Sequence, residues 1–202
     1  MIDYDTEYFF IQKEAFNEHL PSAMADVNTS MRKFEFEAQP LGSSPLIFFN
    51  AAKDRQISAK INEIVPDIIF DSGNFMVKKN IRDKLISYDF PNVSIHPAVY
   101  IDNKSNWHED YWYLTFTSFF DCWDRSKSTY DSTQIKIGSE LLFSVDSYGL
   151  NYGLLDATEL KDRLFFKMGG TGDGLIVCHK SLAPLFQTGE RCGANLTLIS
   201  DY

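Results

Sequence analysis

The chain has 202 residues, 44% of them hydrophobic and 15% aromatic, which is enough for one large buried core and too apolar for a disordered protein. Its formal net charge of −9 argues against a nucleic-acid binder, which needs a face of clustered Lys and Arg, and fits a basic partner better. The first residues, Met1 to Glu7, are acidic where an export signal needs a basic start and an apolar run, and no apolar stretch is long enough to span a membrane; the expectation is a cytoplasmic protein with no membrane contact.

In chain order, Tyr8 to Ile11 reads as a strand, and the stretch carrying Ala15, Phe16, His19 and Leu20 reads as a short helix stopped by Pro21. Phe34 and Phe36 alternate with Glu35 and Glu37, the pattern of a half-buried strand. Leu46 to Phe49 reads as a short buried strand, and Ile57, Ile61 and Ile64 recur at helical spacing before Pro66. Val93 to Ile101 and Asp110 to Thr117 read as an antiparallel pair joined by the polar turn Asp102 to Asn106, with further strands around Ile135, Ile137, Leu141 to Phe143 and Val145. No βαβ alternation runs through the chain, which counts against a doubly wound nucleotide-binding fold. The expected class is a mixed α+β protein with a largely antiparallel sheet and flanking helices, one domain over residues 1–202.

Within that domain the chain echoes itself: a strand, a Gly-containing turn, a short strand, a helix and a third strand occur near 67–98 and again near 163–200. Phe70 matches Phe166, Val77 matches Val177 and Ile81 matches Leu182, a spacing too long for a solenoid repeat. We read these as related units inside a core of residues 46–202, with residues 1–45 as an N-terminal elaboration.

Several groups invite a chemical reading. Trp107, His108, Glu109 and Asp110 set an imidazole beside two carboxylates, and Asp121, Trp123 and Asp124 add acids and a second indole downstream. Neighbouring strand positions face opposite ways, so His108, Glu109 and Asp110 are not expected to converge, and a solvated turn with a hydrogen-bonded edge is the simpler expectation. Gly169 to Gly174 resembles a phosphate loop only in its glycines, because a strand follows where an anion-binding helix would be required. Cys178 beside His179 lacks a third orienting group, and Cys122, Cys178 and Cys192 lack metal-site spacing and read as reduced thiols. No catalytic residue, metal ligand or cofactor is assigned. The enzyme alternative is a small hydrolase using His108 with Asp121 or Asp124; a second alternative is a ligand-binding scaffold cradled between the two units.

The runs Asp67 to Gly73, Met76 to Leu85, His96 to Tyr100, Asp110 to Leu114 and Asp121 to Lys127 together resemble a bacterial family first catalogued as a domain of unknown function and now regarded as containing immunity proteins of polymorphic and type VI toxin systems. The resemblance spans roughly residues 45–200 and rests on aromatic and hydrophobic landmarks. It implies a protein without catalytic activity that binds and neutralises a cognate, cytoplasm-acting toxin, a basic one fitting the acidic charge. Trp107, His108, Glu109, Asp110, Asp121, Trp123 and Asp124 are then the candidate partner-binding residues.

Overall fold

In the computed structural model, which describes residues 2–137, 140–187 and 191–202, the alternation at Tyr8-Phe9-Phe10-Ile11 becomes strand β1 (Tyr8–Lys13). Tyr8 and Phe10 enter one core and Ile11 another, as a period-two strand between two packed layers requires. The expected helix after it does not form. Residues 14–20 are turns, Phe16 has φ of +59° and is fully exposed at 103%, and Leu20 alone of the apolar group is buried.

The chain continues through β2 (Ala23–Ala25), α1 (Val27–Ser30) and β3 (Leu46–Asn50). Asp26 caps α1 by accepting a 2.7 Å hydrogen bond from the Thr29 amide. Phe34 and Phe36 lie in turns and not in a strand; Phe34 is buried and Phe36 exposed. The helix expected over Ile57, Ile61 and Ile64 is only α2 (Lys53–Ser58), halted where Lys60 takes φ of +56°, and its buried residue is Gln56. Gln56 sits in a polar cluster with Asn50 and Asn103, so local hydrogen bonding overrides the isoleucine period there.

Next come β4 (Ile68–Phe70), β5 (Phe75–Lys78), α3 (Lys79–Leu85), β6 (Val93–Ile101), β7 (Trp107–Phe116), β8 (Phe119–Phe120), β9 (Thr129–Ile137) and β10 (Glu140–Ser147). α4 (Tyr152–Ala157), which Asn151 caps by accepting from the Leu154 amide, and α5 (Leu160–Arg163) lead to β11 (Phe165–Met168), β12 (Ile176–His179) and β13 (Ala194–Leu198).

These strands form a six-stranded sheet of order β2-β3-β6-β7-β5-β4, a five-stranded sheet of order β13-β1-β12-β11-β8, and the separate β9-β10 hairpin. The pairs are antiparallel except β3 with β6 and β8 with β11, so the protein is mixed α+β with largely antiparallel sheets. Three cores follow. One lies between the sheets, where Phe75, Val77, Ile81 and Leu114 meet Ile11, Phe165, Cys178 and Leu182. A second covers the far face of the five-stranded sheet around Phe10, Trp123 and Val177, and a third covers the far face of the six-stranded sheet around Phe48, Tyr100 and Tyr113.

The two stretches read as related units have matching strand orders, β6-β7-β5-β4 and β13-β1-β12-β11, every pair antiparallel. In the first array the inserted strand β7 follows β6 directly; in the second it is β1, from the opposite end of the chain. Residues 188–190 of the second stretch lie outside the described residues. The residue match needs two corrections: Phe70 and Val77 lie in the core between the sheets whereas Phe166 and Val177 lie in the core on the far side, so by face Phe70 corresponds to Phe165 and Val77 to Cys178. A one-residue slip reverses the face of every strand side chain.

Candidate functional site: an open sheet face around Trp107

β7 enters its sheet at Trp107, opposite Ile101 on β6, and Tyr100 is opposite His108. Between Ala98 and Tyr100 the register shifts, so that Glu109 and Asp110 together face Val99 alone. This bulge sends the four neighbouring residues to different places. Trp107 and Glu109 line one groove, whereas Asp110 lines a shallow one with Asp67, Lys78, Lys79 and Asp83. His108 turns to the hairpin loop, its Nε2 3.1 Å from Asp102 Oδ2. Burial raises the Asp102 carboxyl, but hydrogen bonds from the Asn106 side chain and amide, from His108 and from the Lys104 amide outweigh it and hold the group below its ordinary range. His108 and Asp102 therefore pin a turn.

Asp121, Trp123 and Asp124 belong elsewhere. They follow β8 in the other sheet, past the far end of β7, whose ten residues alone span about 30 Å. Asp121 forms a two-pronged ion pair with Arg125, at 2.5 and 2.6 Å. The Arg125 guanidinium stacks 3.8 Å above the Trp123 ring. Trp123 is 1% exposed, donates its Nε1 hydrogen to the Gly169 carbonyl at 3.1 Å, and packs edge-on against Tyr130 and Phe143. Asp124 accepts from the Ser126 side chain and amide, which lower its carboxyl. Thus Trp123 is a core residue, unlike Trp107, and His108 meets neither Asp121 nor Asp124.

The glycine loop has a packing reason. A Cβ on Gly170, whose φ is +70°, would lie 2.6 Å from Arg125 Nη2, and one on Gly169 would lie 2.9 Å from the Asp121 amide nitrogen. The glycines close the backbone over the Asp121 and Arg125 bracket. Cys178 is buried between the sheets, where desolvation pushes its thiol well up, while the His179 ring faces Tyr8 on the other side. Among the described residues no cluster of His, Cys, Asp or Glu could hold a metal ion, and no helix is long and apolar enough to cross a membrane.

What remains open is the face of the six-stranded sheet beyond the reach of α3. Arg82 of α3 covers Trp112, with its guanidinium 4.0 Å from the indole. Farther across, the registers Met24 with Phe49, Phe49 with Ile101 and Ile101 with Trp107 place four large apolar side chains in one row over four strands. Met24 is 54%, Phe49 38% and Trp107 60% exposed, while Ile101 is buried between Phe49 and Trp107, and Val27 and Met31 of the adjoining helical turn are exposed as well. Alongside the row runs a groove of about 480 Å³ whose walls include Ile47, Val99, Trp107, Glu109, Asp26 and Arg32. Among the described residues neither Asp26, whose carboxylate caps α1, nor Glu109 has an ion-pair partner, and Arg32 is the one cation on the groove wall. The sequence signalled Trp107 and Glu109. It gave no sign that Met24 and Phe49 would join them, because that adjacency exists only through long-range strand pairing.

Comparison with protein-family models and with curated proteins gives no match.

Proposed function

We propose that this chain is an immunity protein, one that neutralises a cognate, cytoplasm-acting bacterial toxin by one-to-one association, and that the Met24, Phe49, Ile101 and Trp107 row is the face that meets it. The observation that supports this reading is the row itself. Contiguous exposed apolar patches are uncommon on monomeric proteins and mark interaction sites, and Trp is among the residues most often dominant in binding energy. The Glu109 carboxylate beside the row, without an ion-pair partner among the described residues, and the net charge of −9 favour a partner that carries Lys or Arg around an apolar centre. Such inhibition needs no reacting groups, only a surface that holds the toxin in an inactive state or covers its active site.

The test is co-expression with the product of the neighbouring gene, scored for rescue of growth and for co-purification. The expected result is protection and a stable equimolar complex, weakened by Trp107→Ala and by Glu109→Lys. A neighbouring product that is toxic yet neither bound nor neutralised removes the proposal.

A further inference from the structure

We infer that β13 is a pairing edge for a second copy of this chain, giving a two-fold dimer in which the two five-stranded sheets join through antiparallel β13 strands. Among the described residues β13 closes its sheet and pairs only with β1. The Glu14 amide donates to the Gly193 carbonyl, which sets the phase of that ladder: Asn195 and Thr197 exchange hydrogen bonds with β1, while the N–H and C=O groups of Ala194, Leu196 and Leu198 point outward. The Leu198 carbonyl is taken by the 3-10 turn Ile199–Asp201 that it caps, and the other outward groups, those of Leu196 at the centre included, have no hydrogen-bond partner among the described residues. A row of unpaired backbone donors and acceptors specifies its own occupant, another extended strand.

Natural sheets protect such edges with charge, Pro, bulges or brevity. The other edges here follow that rule. β2 and β8 have three and two residues, the outer side of β4 receives the Arg191 and Cys192 carbonyls, and β9 carries Asp131 and Lys136 opposite two register shifts. β13 has none of these protections: Ala-Asn-Leu-Thr-Leu is uncharged, free of Pro and regular in register. The corresponding edge of the other four-stranded array, the outer side of β6, already carries β3, so a fifth strand at this position is compatible with the architecture.

A two-fold axis at Leu196 makes the edge self-complementary. Leu196 faces Leu196 of the second copy and Ala194 faces Leu198. The net charge of −9 on each copy opposes association, but the seam strand is neutral and repulsion between charges beyond about 8 Å is screened at physiological ionic strength. Added salt should therefore strengthen this dimer, the opposite of its effect on a complex with a basic partner at the Trp107 face.

Sedimentation velocity on the full chain from low to high micromolar concentration tests the inference, with amide exchange read at Leu196. The expected result is a reversible dimer with a Leu196 amide that slows as dimer forms. Leu196→Pro removes the central outward N–H and spares every bond to β1, and Asn195→Lys places a charge at the seam from an exposed position; each should weaken the dimer at least tenfold while keeping the wild-type circular dichroism. A wild-type chain that is monomeric throughout overturns the inference, as does a dimer untouched by Asn195→Lys or one abolished by Trp107→Ala.

Discussion

Two tryptophans that look alike in the sequence should respond to truncation in opposite ways. Trp123 is 1% exposed, and its loss would leave the Gly169 carbonyl without its donor and open a hole against Tyr130, Phe143 and Tyr148. Buried Trp→Ala changes cost about 3–5 kcal/mol. Trp107 is 60% exposed, so its fold-stabilising burial is roughly two-fifths of a Trp surface of about 250 Å². At about 25 cal/mol per Å² that is at most about 2.5 kcal/mol, and the compactness of real unfolded chains and the surface an alanine retains bring it to about 1–1.5 kcal/mol. Urea unfolding of Trp107→Ala and Trp123→Ala should give stabilities differing by about 2 kcal/mol or more, or midpoints about 1 M apart at a slope near 2 kcal/mol per M. Equal losses would refute the assignment of Trp123 to the core and Trp107 to an open face.

Four further predictions concern the frame that holds that face. Asn74 is buried, donating to the Glu35 carbonyl and the Tyr113 hydroxyl while accepting from Lys167 of the other sheet, so Asn74→Ala should cost about 2–4 kcal/mol in urea unfolding, with a non-additive response when combined with Lys167→Met. Gly193 has φ of +82° and a Cβ there would sit 2.4 Å from the Ile68 carbonyl oxygen; Gly193→Ala should lose about 2–4 kcal/mol, and a loss below 1 kcal/mol would contradict the close approach. Desolvation lowers the His179 imidazole, so below about pH 6.5 the unfolded chain takes up its proton before the folded one does. Stability should thus fall with pH through that window, and less steeply in His179→Gln. The depressed Asp102 carboxyl adds a second decline below about pH 4, which Asp102→Asn should remove.

The parts of the fold that were legible are those in which local period and tertiary environment agree. β1, β3, the β6-β7 hairpin and the run from β4 through α3 all carry clean alternation or an apolar stripe, and Ile81 and Leu85 are buried as a helix face demands. The failures have specific causes. Phe16 and Ile57 imitate a helix stripe yet are exposed, because turns at Phe16 and Lys60 with positive φ redirect the backbone. α4 has an Asn cap that the sequence displays, but its single buried residue, Leu155, leaves no stripe to read. The pairing of β1 with β12 and β13 joins opposite ends of the chain, and no local pattern encodes it. The candidate site divided for the same reason: Trp107 to Asp110 lie at a bulge whose partner strand sets their directions, and the burial of Trp123 depends on Gly169 and Phe143, both distant in sequence.

The most direct measurement of the central claim is calorimetric titration of the full chain with the product of the neighbouring gene, using wild type, Trp107→Ala and Trp123→Phe at low and moderate salt. Binding should be equimolar and weaken with salt, with a loss of about 2 kcal/mol or roughly thirtyfold in Trp107→Ala and wild-type affinity in Trp123→Phe. Absence of binding, or an affinity indifferent to Trp107 and sensitive to Trp123, would contradict that claim.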